Sequence, residues 1–223
     1  MSRLLHAGSF HRSIGMAAIL AVLLLCASSA AMAFTTDLLP PPEGTYVAAG
    51  PVFFANGVIL ANVAFSQFMG SIVPPAPLIT TMHGFGSTLD MDVSMDQGQT
   101  WNHETISGPG SMSTKHYQDI GNVQYFAEEM ISFTAVGSYS WFMLRESPFL
   151  HSYGTTTIEH LQDGTYRIDS FFDVFVELSL DGGQSWTPAT QSSHLDLLPE
   201  PSGLMSLFCG IGAISGLLLK RRR

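Results

Sequence analysis

Cysteine is nearly missing: Cys26 and Cys209 are the only two in 223 residues, and both lie inside apolar stretches near the ends. The body between them has none, which excludes a disulfide framework there, and any thiolate zinc site as well. Basic residues are almost as scarce in that body. Between Asp37 and Glu200 only Lys115, Arg145 and Arg167 are basic, against all 18 acidic residues, so the region carries three minus eighteen, or −15, with His neutral. A field of that sign repels nucleic-acid phosphates and anionic headgroups, and excludes nucleic acid as a partner. No segment of the body sustains a helical period over three turns, and no G-x-S-x-G elbow, P-loop or dinucleotide glycine pattern occurs.

The ends hold what the body lacks. Residues 1–33 run from a polar front with Arg3 and Arg12 through "MAAILAVLLLC" to "ASSAAMA". That is the layout of a secretory signal, with Ala31 and Ala33 as the small residues that admit signal peptidase and cleavage after Ala33. An uncleaved anchor is the alternative. Lipidation at Cys26 is disfavoured because Leu25 stands where a small residue is needed. At the other end Ser202 to Leu219 is 18 residues without a charge. As a helix it would reach ~27 Å, enough for a bilayer core. Lys220, Arg221, Arg222 and Arg223 follow as a stop-transfer cluster held on the cytoplasmic side. The acidic body is therefore expected outside the inner membrane.

Pro199-Glu200-Pro201, one apolar span and a terminal basic cluster, in that order, resemble the PEP-CTERM sorting signal of Gram-negative-type bacteria. The resemblance covers residues 199–223 and says nothing of the body. It implies processing by an exosortase, a transient stay in the inner membrane, and delivery to the envelope, outer surface or exopolysaccharide matrix. Leu198 stands where many members have Val. The prolines on either side of Glu200 hold the strip extended. A simple type I anchor with a Pro-rich stalk is the alternative.

Residues 34–44, "FTTDLLPPPEG", read as a Pro-rich linker. Residues 45–198 read as strands. In "TLDMDVSMD", Leu89, Met91, Val93 and Met95 face one side, and Thr88, Asp90, Asp92, Ser94 and Asp96 the other. "TYRIDSFFDVFVELSL" continues the alternation from Tyr166 to Leu180, broken at Ser170, where a bulge or bend is expected. Asn56-Gly57 marks a hairpin; "VPPAPL", "SGPGS" and "ESP" read as loops. The expectation is an all-β fold, an antiparallel β-sandwich with a jelly roll or barrel as alternative, between a signal helix and a transmembrane helix over 202–219.

An octapeptide occurs twice: "SMDQGQTW" over 94–101 and "SLDGGQSW" over 179–186. The pattern resembles the Asp-box, a hairpin turn of sialidases and other secreted β proteins that is usually remote from the active site. The mechanics follow from the residues. Ser94 and Asp96, or Ser179 and Asp181, supply acceptors for turn amides. Gly98 or Gly183 takes the positive φ, and Trp101 or Trp186 folds back over the turn. Two copies are too few for a propeller and point to an internal duplication.

Candidate chemistry is sparse. His83, His103, His116, His151, His160 and His194 show no compact zinc spacing, and no metal site is assigned. Asp90, Asp92 and Asp96 line one strand face, so calcium is an alternative to a solvated acidic face. Glu128 and Glu129 must point to opposite faces of a strand and cannot form a dyad. Arg145 and Glu146 read as a surface pair. The body is expected to be non-catalytic, without a cofactor, and structural or adhesive. The alternatives are a carbohydrate-binding module, with exposed aromatics lining a groove, and a secreted glycan-active hydrolase, with two convergent carboxylates.

Overall fold

A computed structural model describes residues 33–137 and 141–198. Ala31, the Pro199–Glu200–Pro201 strip, both expected terminal helices and Lys220 to Arg223 lie outside the described residues. Among those described there is no helix, and twelve strands follow one another. They are β1 (Thr45–Ala48), β2 (Val52–Phe53), β3 (Ile59–Met69), β4 (Thr80–Ser94), β5 (Asn102–Ile120) and β6 (Val123–Gly137). Then come β7 (Met143–Glu146), β8 (Ser152–His160), β9 (Tyr166–Val174), β10 (Val176–Ser179), β11 (Thr187–Pro188) and β12 (Ser193–Leu198).

Period two in the sequence becomes inside and outside in the fold. Along β4, Phe85, Leu89, Met91 and Val93 are buried while Asp90 and Asp92 face out. Each such strand needs a neighbour on both edges and a core on one face. The chain meets both needs by running its strands as eight staves, each paired antiparallel with the staves before and after it. β1 with β2, β7 with β8, β9 with β10 and β11 with β12 act as single interrupted staves; β3 to β6 are unbroken. β12 pairs back onto β1, Thr45 opposite Leu198, and Phe54 bridges Ala189 beside it. The result is a closed, up-and-down barrel of eight staves.

The sandwich expected from sequence is thus corrected to its barrel alternative. Strand periodicity reports which residues face a core, but does not say whether two sheets or one closed sheet surround it. Three local expectations change as well. "SGPGS" is not a loop but the middle of β5. There Gly108 lies so close to β6 that a Cβ would fall 1.9 Å from the Thr134 carbonyl oxygen, and Gly110 lies under the Phe85 ring. Pro109 has no N–H to give, and the ladder from β5 to β6 lapses beside it, between Ser107 and Gly110. The break in the long 166–180 strand falls at Phe175, not Ser170, which stays in register opposite Thr156. The stretch expected as a linker is packed: Phe34 pairs with Tyr166, Leu39 with Ile72, and Leu39 and Pro41 are fully buried.

The connections divide between two ends. One end carries the β2–β3, β4–β5, β6–β7 and β10–β11 turns, including both Asp-box-like sequences. The other carries the long β3–β4 loop, the β5–β6 and β8–β9 turns, the start of β1 and the end of β12. Inside, Phe65 packs edge-on against Phe68 and Phe133 with centroids 5.0 and 5.1 Å apart. Among the described residues, two interior voids hold only about 40 and 10 Å³, the first lined by side chains such as Leu60, Phe133 and Leu195. Small-molecule sites need roughly 300 Å³ or more. The interior is a packed core, not a ligand chamber.

One polar chain crosses that core. Thr114 Oγ1 donates to Glu128 Oε1 (3.1 Å) and Thr156 Oγ1 to Glu128 Oε2 (2.5 Å). Tyr46 donates to Ser170 Oγ at 2.9 Å, leaving the Ser170 proton for Thr156 Oγ1, 2.7 Å away. Burial lifts the Glu128 carboxyl to about 7, and the two hydroxyl bonds only partly offset it. Burial, then the nearby Glu128, raises the Tyr46 phenol so that it stays protonated.

A candidate glycan groove and the turns beside it

The two Asp-box-like sequences fold into the same turn. Ser94 Oγ donates to Asp96 Oδ1 (2.8 Å) and accepts from the Gly98 amide (2.7 Å). The Gln99 and Thr100 amides donate to Asp96 Oδ1 at 3.0 and 2.8 Å, and Thr100 Oγ1 donates to Oδ2 at 2.7 Å. The second copy repeats each bond. Ser179 Oγ bonds Asp181 Oδ1 (2.7 Å) and the Gly183 amide (2.8 Å), while Ser185 Oγ donates to Asp181 Oδ2 (2.6 Å). Gly98 and Gly183 hold φ of 92° and 88°. Hydrogen bonds from Thr100 and Ser185 lead in holding both carboxyls down at about 2. Both oxygens of each carboxylate are engaged by the turn itself, which works against calcium there.

The tryptophans of the two turns have different surroundings. Trp186 donates Nε1–H to the Gly183 carbonyl at 3.1 Å, and the Arg145 guanidinium lies 4.1 Å from its ring centroid. Trp101 is 45% exposed. It lines an open groove of about 400 Å³ with Phe53, Ile59, Asn62 and the Ala48–Pro51 break between β1 and β2. Phe53 is 42% exposed across the groove. Of the lining residues, Asn62 donates from Nδ2 to Asp92 Oδ2 at 2.8 Å, and His103 Nδ1 in turn lies 3.1 Å from Asp92 Oδ1. Asn62, first in effect, and His103 hold Asp92 below the ordinary carboxyl range, so it stays ionised. Aromatic faces beside an amide, a carboxylate and an imidazole are the groups that hold a sugar ring: its C–H face stacks and its hydroxyls are bonded.

A second concavity, of about 180 Å³, lies where β7 breaks from β8 and is lined by Glu129, Glu146, Phe149 and His151. Burial raises Glu146 to about 7, against a hydrogen bond from Ser152 Oγ at 3.2 Å. Glu129 Oε1 sits 2.6 Å from His151 Nδ1. The expected Arg145–Glu146 pair does not form. Arg145 bonds Glu177 instead, through Nε (2.9 Å) and Nη2 (2.6 Å), because neighbours along a strand point to opposite faces. The same rule separates Glu128, in the core, from Glu129 outside.

The histidines are dispersed. His194 is bonded to Asp173, His160 lies near Gln124, and His83 faces the barrel end without a partner for either ring nitrogen. His116 is fully buried between the Pro75 carbonyl (2.9 Å) and Asp119 (2.6 Å). Among the described residues no three His, Cys, Asp or Glu are grouped to hold a metal ion. Sequence reasoning missed Phe53 and Asn62 as groove residues. The signal was present in Asn56-Gly57, which folds Phe53 back beside β3, but the partner strand carrying Trp101 could not be inferred from it. Comparison with protein-family models, curated proteins and solved structures finds no match.

Proposed function

We propose that this chain is an exported envelope protein, sorted through its PEP-CTERM-like segment, whose barrel is a non-catalytic adhesive module that holds neutral glycan in the Trp101 groove. The observation that carries the reading is that Trp101 and Phe53, both half-exposed, line one concavity with Asn62, whose side-chain amide is held by Asp92. An excess of acidic groups on the body disfavours uronate-rich polymers and leaves neutral or amino sugars as the fitting class. Charge segregation, the cysteine-free body and the apolar, basic-flanked ends support export and a stay at the inner membrane. Glycan-array binding followed by calorimetry tests it. Trp101→Ala should weaken binding about tenfold or more. Trp186→Ala, whose ring is covered by Arg145, should leave binding intact. Equal affinity in wild type and Trp101→Ala would remove the groove from the reading.

A second reading, a glycan-active hydrolase, is favoured by Glu146 and Glu129 lining one pocket, the first raised by burial to about 7. Any glycan hydrolysis should then vanish in Glu146→Gln. Hydrolysis that survives Glu146→Gln combined with Glu129→Gln removes this reading.

A further inference from the structure

At the barrel end opposite the Asp-box turns, apolar side chains face water instead of the core. Val73, Leu78 and Met82 are 70%, 76% and 67% exposed, and Ile79, Tyr117 and Ile120 are exposed beside them. They lie on the β3–β4 loop and on the adjoining strands β4 and β5. The Leu78 amide donates to the His116 carbonyl (2.9 Å) and the His116 amide to the Ile79 carbonyl (3.1 Å), tying the β3–β4 loop alongside β5. Met82 lies opposite Ser113 in the same ladder, and Ile120 ends the β5–β6 hairpin. Leu78 takes a φ of 67°, which a bulky residue adopts only under constraint. Single exposed apolar residues need no explanation, but six gathered at one barrel end do.

The same rim is where β12 ends, at Leu198. Only Pro199, Glu200 and Pro201 separate Leu198 from the apolar stretch that opens at Ser202. Three residues reach roughly 10 Å when extended. If that stretch spans the inner membrane, the end of β12 is held within roughly 10 Å of the lipid surface, at high effective concentration. Lys115, one of the three basic residues of the body, stands on this rim opposite Thr80, where its stem can lie along apolar neighbours while its ammonium meets headgroup phosphate.

We propose that this rim is a membrane-docking surface: its apolar side chains enter the interface of the bilayer that holds the chain's own C-terminal span, which stands the barrel with its Asp-box end and glycan groove outward. The proposal rests on the span reading, and the experiment separates the two. The full chain, with Cys26→Ser and Cys209→Ser, is reconstituted into phosphatidylcholine vesicles carrying a nitroxide on Val73→Cys or, at the far end, on Gln99→Cys. Flotation reports the span. Collision with oxygen, which concentrates in lipid, against a water-soluble nickel complex reports the rim. Oxygen should dominate at residue 73 and nickel at residue 99, and Leu78→Asp with Met82→Asp should return residue 73 to water while flotation is kept. A chain that does not float overturns both readings. A floating chain with residue 73 in water overturns the docking surface alone. A residue 73 shielded from both reagents would mean contact with a second copy, and would overturn it too.

Discussion

Two serines do more for this fold than their size suggests. Ser94 and Ser179 are buried, and each joins its turn's aspartate to its glycine amide through one oxygen. Removing that oxygen leaves a half-buried amide unpartnered and loses a bond to the carboxylate. Ser94→Ala and Ser179→Ala are each expected to lower unfolding free energy by about 1–2 kcal/mol, and the double variant by about the sum, since the turns lie on separate walls. Denaturant titration checks both the single costs and their additivity.

Glu128 sets a pH dependence of opposite sign to that of the turns. Its folded carboxyl titrates at about 7 against 4.5 when free, so the folded chain holds the proton more tightly. Stability is therefore full at low pH, falls as pH rises from about 4.5 to about 7, and is level above. For a fully buried group the loss is on the order of 3 kcal/mol. Glu128→Gln should remove that part of the slope and exceed wild type in stability at pH 8. Asp96 and Asp181, held at about 2 by their turn bonds, contribute stability that is lost only as pH falls from about 4 toward 2.

At the scale of strands, the alternation from Leu89 to Val93 gives β4 its inner face directly, and it stops at Ser94, where the turn takes over. Such periodicity is local and legible. β5 was not legible, because Ser107 to Ser111 looks like a loop by composition. What overrides composition is crowding by residues distant in sequence: the Thr134 carbonyl and the Phe85 ring leave no room for a Cβ at Gly108 or Gly110. Gly108→Ala should cost more than about 3 kcal/mol, whereas Gly50→Ala, with nothing within 4 Å of its Cβ, should stay within about 0.5 kcal/mol. The groove was half legible for the same reason: Trp101 is marked by its motif, while Phe53 and Asn62 reach it only through the pairing of β2, β3 and β4. Glu146 reads as a surface acid until the break between β7 and β8 buries it.

Across the whole molecule, the repeated turn finds a geometric expression. The hairpin after β4 joins the third and fourth staves and the one after β10 the seventh and eighth, half a ring apart at the same end. That is the arrangement a duplicated four-strand unit gives when it closes on itself, and the 85-residue spacing of Ser94 and Ser179 matches it. The two ends then carry different burdens: one bears the turns and the groove, the other the apolar rim and the exit of the chain. Sidedness is the property on which this division depends. It is measured most directly by labelling the full chain, bearing Cys26→Ser, Cys209→Ser and Gln99→Cys, with a membrane-impermeant maleimide in spheroplasts of a Gram-negative host. Residue 99 should react without lysis; reaction only after lysis would place the barrel in the cytosol and contradict the proposed export.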